Sequence, residues 1–340
     1  MTPTTLSVPE DGVASSLAGM LHARARQSPD TVVLTALDAD GAAVARLTAS
    51  EADIEARTLA AELRATAEPG DRILLPSMPG LKFHTAFLAC LYAGLVAVPA
   101  PPVRAARRGD GQQPVGVRRL AAICHDVRPA AVVVPANRLF KIAAAWAEEK
   151  TLAALPLVCC EPADALREPL PAPEPVAPDA LAFLQYTSGS TSEPRGVMIT
   201  HGAMLANQAA LRERLSITTR TTLVSWLPTF HDLGLALGVL QPMYTGSSAV
   251  VMEPETFLRR PERWLQALSK RSDAVSAAPD FAYAWCAARV SPQAKAELDL
   301  SGWRVAVNGA EPLRADTVRD FHSAFAGCGL REHAQTSAYG

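Results

Sequence analysis

Long apolar runs are missing from this 340-residue sequence: no stretch reaches the roughly 18 uninterrupted apolar residues that a membrane-spanning helix needs. An excess of either charge is missing too. Lys and Arg number 32 against 34 Asp and Glu, a formal net charge of -2, so nothing global draws the chain to nucleic acid or to an anionic membrane. One local basic cluster, Arg104, Arg107 and Arg108, runs straight into Gly109, Gly111 and Pro114 without interleaved aromatics, and reads as a solvated loop. Paired cysteines are absent. Cys90, Cys124, Cys159, Cys160, Cys286 and Cys328 have neither a secretory framework nor metal-ligand spacing, which leaves reduced, mostly buried thiols. Glu10 and Asp11 stand where a signal peptide would be basic. These absences imply a cytoplasmic location, no membrane span and no nucleic-acid partner.

What is present is the composition of a folded protein, 49% hydrophobic and 19% charged, long enough for about two or three compact units. Apolar, β-rich runs at residues 72–75, 95–98, 131–134, 181–186, 222–227, 248–252 and 304–308 alternate with helical patterns. Several runs are apolar on both faces, as strands covered by helices on each side must be. Helices are expected over residues 50–65, opened by Ser50 with Asp53 three positions on, and over residues 81–92, where Phe83, Phe87, Leu88 and Leu91 share a side. The expected class is α/β with mostly parallel sheets. Residues 99–116 and 161–179 resist regular structure. The second stretch carries Pro162, Pro169, Pro171, Pro173, Pro175 and Pro178, and places a boundary between subdomains at residues 1–178 and 179–340.

Residues 184–201 read LQYTSGSTSEPRGVMITH: a strand enters Thr187, Ser188, Gly189, Ser190 and Thr191, and a helical pattern resumes after His201. Small residues let backbone N–H groups close on a phosphate while hydroxyls donate to the oxygens the backbone misses. Most hydroxyl-rich loops are plain surface turns. This one is not a Walker loop, because Pro194 replaces the second glycine and no Lys-Ser or Lys-Thr follows, nor does it have the glycine spacing of a hydrolase elbow.

The run from Tyr186 to Thr191, with Pro194, Arg195 and Gly196, resembles the phosphate-binding signature of the adenylate-forming (AMP-binding) superfamily, and within it the fatty acyl-AMP ligases. The resemblance covers nearly the whole chain. It implies the large N-terminal domain of such a ligase, stacked α/β subdomains ending before the small C-terminal domain. Arg195 stands where the family usually has lysine, keeping the charge but changing its shape. In Ser225-Trp226-Leu227-Pro228-Thr229-Phe230-His231-Asp232, the resemblance puts His231 where ATP phosphates meet the incoming carboxylate. By itself, a histidine in such an apolar setting is more often a satisfied core residue. The run Asn308-Gly309-Ala310-Glu311-Pro312 resembles the adenine wall, with Gly309, Ala310 and Glu311 against the base. A strand-to-helix turn with Glu311 near a helix N-terminus is a compatible reading. Tyr339 and Gly340 resemble the start of the motif whose tyrosine stacks on adenine and whose later glutamate helps hold magnesium. Phe281 and Tyr283 are implied to line an acyl tunnel with Asp280, asparagine in many relatives, at its mouth; on frequency alone such aromatics are core.

The implied reaction is attack of a fatty carboxylate on the α-phosphorus of ATP with Mg2+ present, forming acyl-AMP, followed by transfer to the phosphopantetheine thiol of an acyl carrier protein. Coenzyme A as acceptor is the alternative within the class. A non-catalytic nucleotide-binding or scaffold module is the alternative outside it, since the magnesium glutamate, the ribose aspartate and the lysine-bearing small domain would all lie beyond Gly340. The expectation for this chain is therefore weak nucleotide binding and slow or absent adenylate formation.

Overall fold

The computed structural model describes residues 16–102, 115–161, 171–173, 175–187 and 194–338, apart from the side chains of residues 115 and 187. In chain order the first half contains α1 (Leu17–Gln27), β1 (Val32–Leu37), β2 (Ala43–Thr48), α2 (Ala49–Arg64), β3 (Arg72–Pro76), α3 (Lys82–Tyr92), β4 (Val96–Ala100), α4 (Val115–Val127), β5 (Ala131–Val134), α5 (Leu139–Trp146), α6 (Lys150–Ala153) and β6 (Leu157–Cys159). The second contains β7 (Leu181–Thr187), β8 (Arg195–Thr200), α7 (His201–Arg214), β9 (Thr222–Ser225), α8 (Asp232–Leu235), a π-helical turn (Ala236–Leu240), α9 (Gln241–Thr245), β10 (Ser248–Met252), α10 (Pro254–Arg259), α11 (Glu262–Leu268), β11 (Ala274–Ala278), α12 (Asp280–Arg289), α13 (Pro292–Ala296), β12 (Trp303–Asn308), α14 (Ala315–Phe325) and β13 (Gln335–Ser337).

Two compact units interleave along the chain, residues 1–31, 48–78 and 82–207 in one and residues 32–47, 79–81 and 208–340 in the other. The change of unit expected in the proline-rich stretch falls instead within α7. Strand pairing is the reason: β7 continues the first sheet beside β4 and β8 folds back on β7, whereas β1 leaves the N-terminal segment to pair with β10. The irregular stretch expected from residue 99 also begins later, because Pro99 lies inside β4 in register with Leu75.

The first unit is a six-stranded sheet, β6-β5-β3-β4-β7-β8, parallel throughout except for the β7–β8 hairpin. Its capping box lies two residues before the expected one. Thr48 accepts from the Glu51 N–H at 3.2 Å and Glu51 accepts from the Thr48 N–H at 2.7 Å, opening α2. This leaves Asp53 free of capping and turned inward. There, 3% exposed, it takes the Arg57 Nε–H at 2.8 Å and the Tyr92 hydroxyl, with His22 Nδ1 at 3.1 Å. One carboxylate thus ties α1, α2 and α3 together. Breaking such a buried pair strands its partners, so Asp53→Ala is expected to cost about 3 kcal/mol of stability in a urea titration.

At the end of β6, Glu161 joins Lys82 at the head of α3, accepts the Ala136 N–H at 2.9 Å and lies against the Cys160 thiol. Burial pulls its pKa up, but these partners outweigh burial and bring it down to about 2. Because the folded value is the depressed one, this stabilisation is present above the unfolded value near 4.5 and is lost as pH falls towards about 2. Glu161→Gln is expected to flatten the loss of stability over that window, read by acid titration of circular dichroism.

The second unit holds seven strands, β13-β12-β11-β9-β10-β1-β2, with all pairs from β13 to β1 parallel. Neighbouring residues on one strand enter different cores, as a two-sided sheet demands. Val224, Ala274, Ala278 and Ala306 face an aromatic cluster of Trp226, Phe257, Trp264, Tyr283, Trp303, Phe321 and Phe325. Leu223, Val275, Ala277 and Val307 face a smaller aliphatic cluster with Leu215, Ile217 and Leu237. All six cysteines are free thiols and five are buried. No helix among the described residues is long and apolar enough to cross a membrane.

Candidate functional site

In the second unit the carboxyl ends of β9, β11, β12 and β13 emerge on one edge of the parallel sheet, the edge at which open α/β sheets bind ligands. From β9 the chain enters Trp226, whose ring stacks on Phe257 at 3.9 Å, and reaches His231, the exposed residue preceding α8. The His231 N–H donates to the Pro228 carbonyl at 3.1 Å and the Phe230 ring lies 4.5 Å from the imidazole. A Cβ at Gly234 would meet that same Pro228 oxygen at 2.2 Å, so the helix approaches the loop this closely only with glycine. The π-helical turn follows, a form often found at functional sites, and Gly238 in it lies against the Ser225 hydroxyl.

From β12 the chain passes through Asn308 into Gly309, Ala310 and Glu311. The Gly309 N–H donates to Ala278 O at 3.2 Å, and a Cβ there would come 2.6 Å from Ala338 O, beyond the end of β13. Ala310 takes the left-handed conformation, φ 69°, that alanine rarely adopts. Glu311 does lie at a helix N-terminus, but of α12 rather than the helix that follows it. Its Oε1 accepts the Phe281 N–H at 2.7 Å, where the helix end favours a negative charge.

Helix α12 separates two residues that the sequence paired. Phe281 is 40% exposed on this edge, its ring 6.3 Å from Trp226 and 6.5 Å from Phe257. Tyr283, expected on the acyl wall, is instead fully buried: its hydroxyl donates to Val307 O at 2.7 Å and its ring packs between Trp264, Trp303 and Phe321. The helical period explains the difference, since a two-residue step turns a side chain by about 200°. Asp280 also turns inward. It is 1% exposed and accepts from Asn308 Nδ2 at 3.2 Å, the Arg314 N–H at 3.3 Å, Arg314 Nε at 3.0 Å and the Thr317 hydroxyl at 2.9 Å. Burial raises its pKa, yet those donors hold it below the usual carboxylate value. Arg314 and Thr317 carry no spacing that marks them beforehand; only the fold brings them to Asp280.

In the first unit, Arg195 pairs with Thr187 at the last step of the β7–β8 hairpin and is exposed. One step back, Tyr186 faces Gly196, where a Cβ would lie 2.9 Å from the tyrosine ring, and the Tyr186 hydroxyl donates to Asp126. Ser188, Gly189, Ser190 and Thr191, the Thr187 side chain, Tyr339 and Gly340 lie outside the described residues.

Parallel, helix-covered sheets with a histidine, a close-packed glycine turn and an exposed aromatic following their strand ends define an open-sheet α/β protein. The description "AMP-binding enzyme" matches residues 21–340, and the chain belongs to that family. It is 37% identical over 300 residues to the medium-chain-fatty-acid–[acyl-carrier-protein] ligase JamA of Moorena producens, covering 86% of this chain and 49% of that protein. It is 33% identical to the long-chain-fatty-acid–AMP ligase FadD26 of Mycobacterium marinum, over 96% of this chain and 56% of the relative. Among solved structures, a fatty acyl-adenylate ligase from L. pneumophila, in complex with acyl adenylate and pyrophosphate, superposes with TM-score 0.85 at 34% identity, covering 97% of this chain and 56% of that one. The chain thus spans about half the length of these relatives.

Gly234→Ala must push back the carbonyl that holds the His231 N–H. The expected result is a loss of about 1–3 kcal/mol together with a displaced His231 imidazole resonance in the NMR spectrum; an unmoved resonance would show that the contact does not position the histidine.

Proposed function

We propose that this chain provides the nucleotide- and acyl-binding part of a ligase that activates a fatty acid as acyl-AMP, for delivery to the phosphopantetheine thiol of an acyl carrier protein. The observation that carries this reading is the shared carboxyl edge of β9, β11 and β12, which holds His231, the Gly309–Glu311 turn and Phe281 in one unit. Support for the substrate and acceptor comes from the relatives, named as a medium-chain-fatty-acid–[acyl-carrier-protein] ligase and a long-chain-fatty-acid–AMP ligase. Free thiols throughout fit a reducing, cytoplasmic setting.

The reaction needs no covalent enzyme intermediate. A fatty acid is already ionised at neutral pH; its carboxylate oxygen forms a bond to the α-phosphorus of ATP while the bond to pyrophosphate breaks. The protein's part is to hold both reactants in line and to balance the charge that develops. His231 is assigned to the carboxylate–phosphate meeting point, Arg195 and the hydroxyl-rich residues from Thr187 to Thr191 to the phosphates, and Gly309, Ala310 and Glu311, with Tyr339 and Gly340, to the adenine. Phe281 is assigned to the mouth of the acyl site. Magnesium would come with ATP. Among the described residues no group of three or more His, Cys, Asp or Glu could hold a metal ion, and no step is assigned to one.

Calorimetric titration with a non-hydrolysable dodecanoyl-adenylate sulfamate tests the reading. Saturable binding that competes with ATP is expected, weakened about tenfold or more by His231→Ala through loss of a charge-assisted contact. Absence of saturable binding by the unaltered chain would overturn it.

A further inference from the structure

Asp280 is a buried carboxylate to which the proposed chemistry gives no task. It sits in the first turn of α12, one residue before the exposed Phe281, and its four donors all belong to the segment that carries the Gly309–Glu311 turn. Asn308 is the last residue before that turn, Arg314 the residue just before α14, and Thr317 lies in the first turn of α14. Between these anchors the backbone makes its left-handed excursion at Ala310. Such a conformation persists only where its surroundings over-determine it. The return contact comes from the turn itself, through Glu311 to the Phe281 N–H at 2.7 Å. The two carboxylates therefore latch α12 and the turn to each other in both directions.

We propose that Asp280 is a positioning residue for the nucleotide wall: by gathering Asn308, Arg314 and Thr317 it fixes the bend at Ala310 and sets Glu311 against α12. It does not touch the nucleotide. The proposal rests on the adenine-binding role assigned to residues 309–311. An aspartate suits this post better than a neutral amide, because only a carboxylate accepts at both oxygens, whereas an amide nitrogen would confront the Arg314 Nε–H and the Thr317 hydroxyl with a further donor.

The experiment compares Asp280→Asn, Thr317→Val and a core control, Phe325→Leu, in binding of dodecanoyl-adenylate sulfamate and in amide hydrogen exchange. Phe325 is fully buried in the aromatic core and has no place in the binding site. Asp280→Asn is expected to weaken binding about tenfold, and Thr317→Val, which removes one of four donors, about threefold. Both should speed exchange at residues 309–314 while leaving β9 and β10 protected. Phe325→Leu should lower the melting temperature at unchanged affinity. If the core control loses affinity in proportion to its lost stability just as Asp280→Asn does, or if Asp280→Asn binds like the unaltered chain with unchanged exchange at residues 309–314, the positioning role is overturned. Failure of the unaltered chain to bind removes the adenine assignment, and this proposal with it; binding that is insensitive to Asp280 removes the proposal alone.

Discussion

The parallel pairing of β9, β11, β12 and β13 governs what the second unit can do. Parallel strands release every carboxyl end on one edge, and there each chain must turn away while its last carbonyls and the next helix's first N–H groups still find partners. The partners come from the turns themselves. Gly309 N–H returns to Ala278 O and Ala338 N–H to Asn308 O, so the ends of three adjacent strands stay hydrogen-bonded past their last paired residues. Glu311 and Asp280 then satisfy α12 and the start of α14. The close approach that excludes a Cβ from Gly309 is a consequence of that pairing, since β13 delivers the Ala338 carbonyl to the one place where the β12 turn must pass.

A turn held so tightly needs an equally firm floor. Beneath it the Trp264 indole N–H donates to the Ser276 hydroxyl at 2.8 Å, which in turn donates to Val224 O at 2.5 Å, so a single polar chain crosses the apolar layer from α11 through β11 to β9. Tyr283 does the same between α12 and β12 through Val307 O. Each buried polar atom in these chains is paired, and the aromatic rings around them interlock edge-to-face. Paired networks of this kind are directional where apolar packing is not, and so they fix the rotation of α12, which presents Phe281 and Asp280.

These same networks mark the limit of what the sequence discloses. The buried strands at residues 72–76, 131–134 and 248–252 were legible because a doubly covered strand must be apolar throughout. Strand β11 is not legible in this way: Ala274-Val-Ser-Ala-Ala is small and carries a serine, and nothing local reveals that Ser276 is spent on Trp264. Strand β8 is illegible for the opposite reason, since four of its six residues are exposed. Ser50 with Asp53 and Thr48 with Glu51 offer the same capping pattern two residues apart, and only the burial of Asp53 among His22, Arg57 and Tyr92 separates the two registers. Among the site residues, His231 and Gly309 are marked by resemblance to family motifs, whereas the placement of Tyr283 and Asp280 depends on which side of α12 meets the sheet.

The first unit meets a comparable demand by another route. A strand pair presenting a charge at its last paired step must not slip, because a shift of one residue would carry Arg195 to the opposite face. Here the register is held by shape. The Tyr186 ring lies across the position where residue 196 would carry its Cβ, so only glycine fits opposite it, and the hydroxyl at the far end of the ring is tied to Asp126 on α4. A slipped pairing would bring Arg195 or Val197 opposite Tyr186, and neither leaves room for the ring. Tyr186 and Gly196 thereby determine where Arg195 stands.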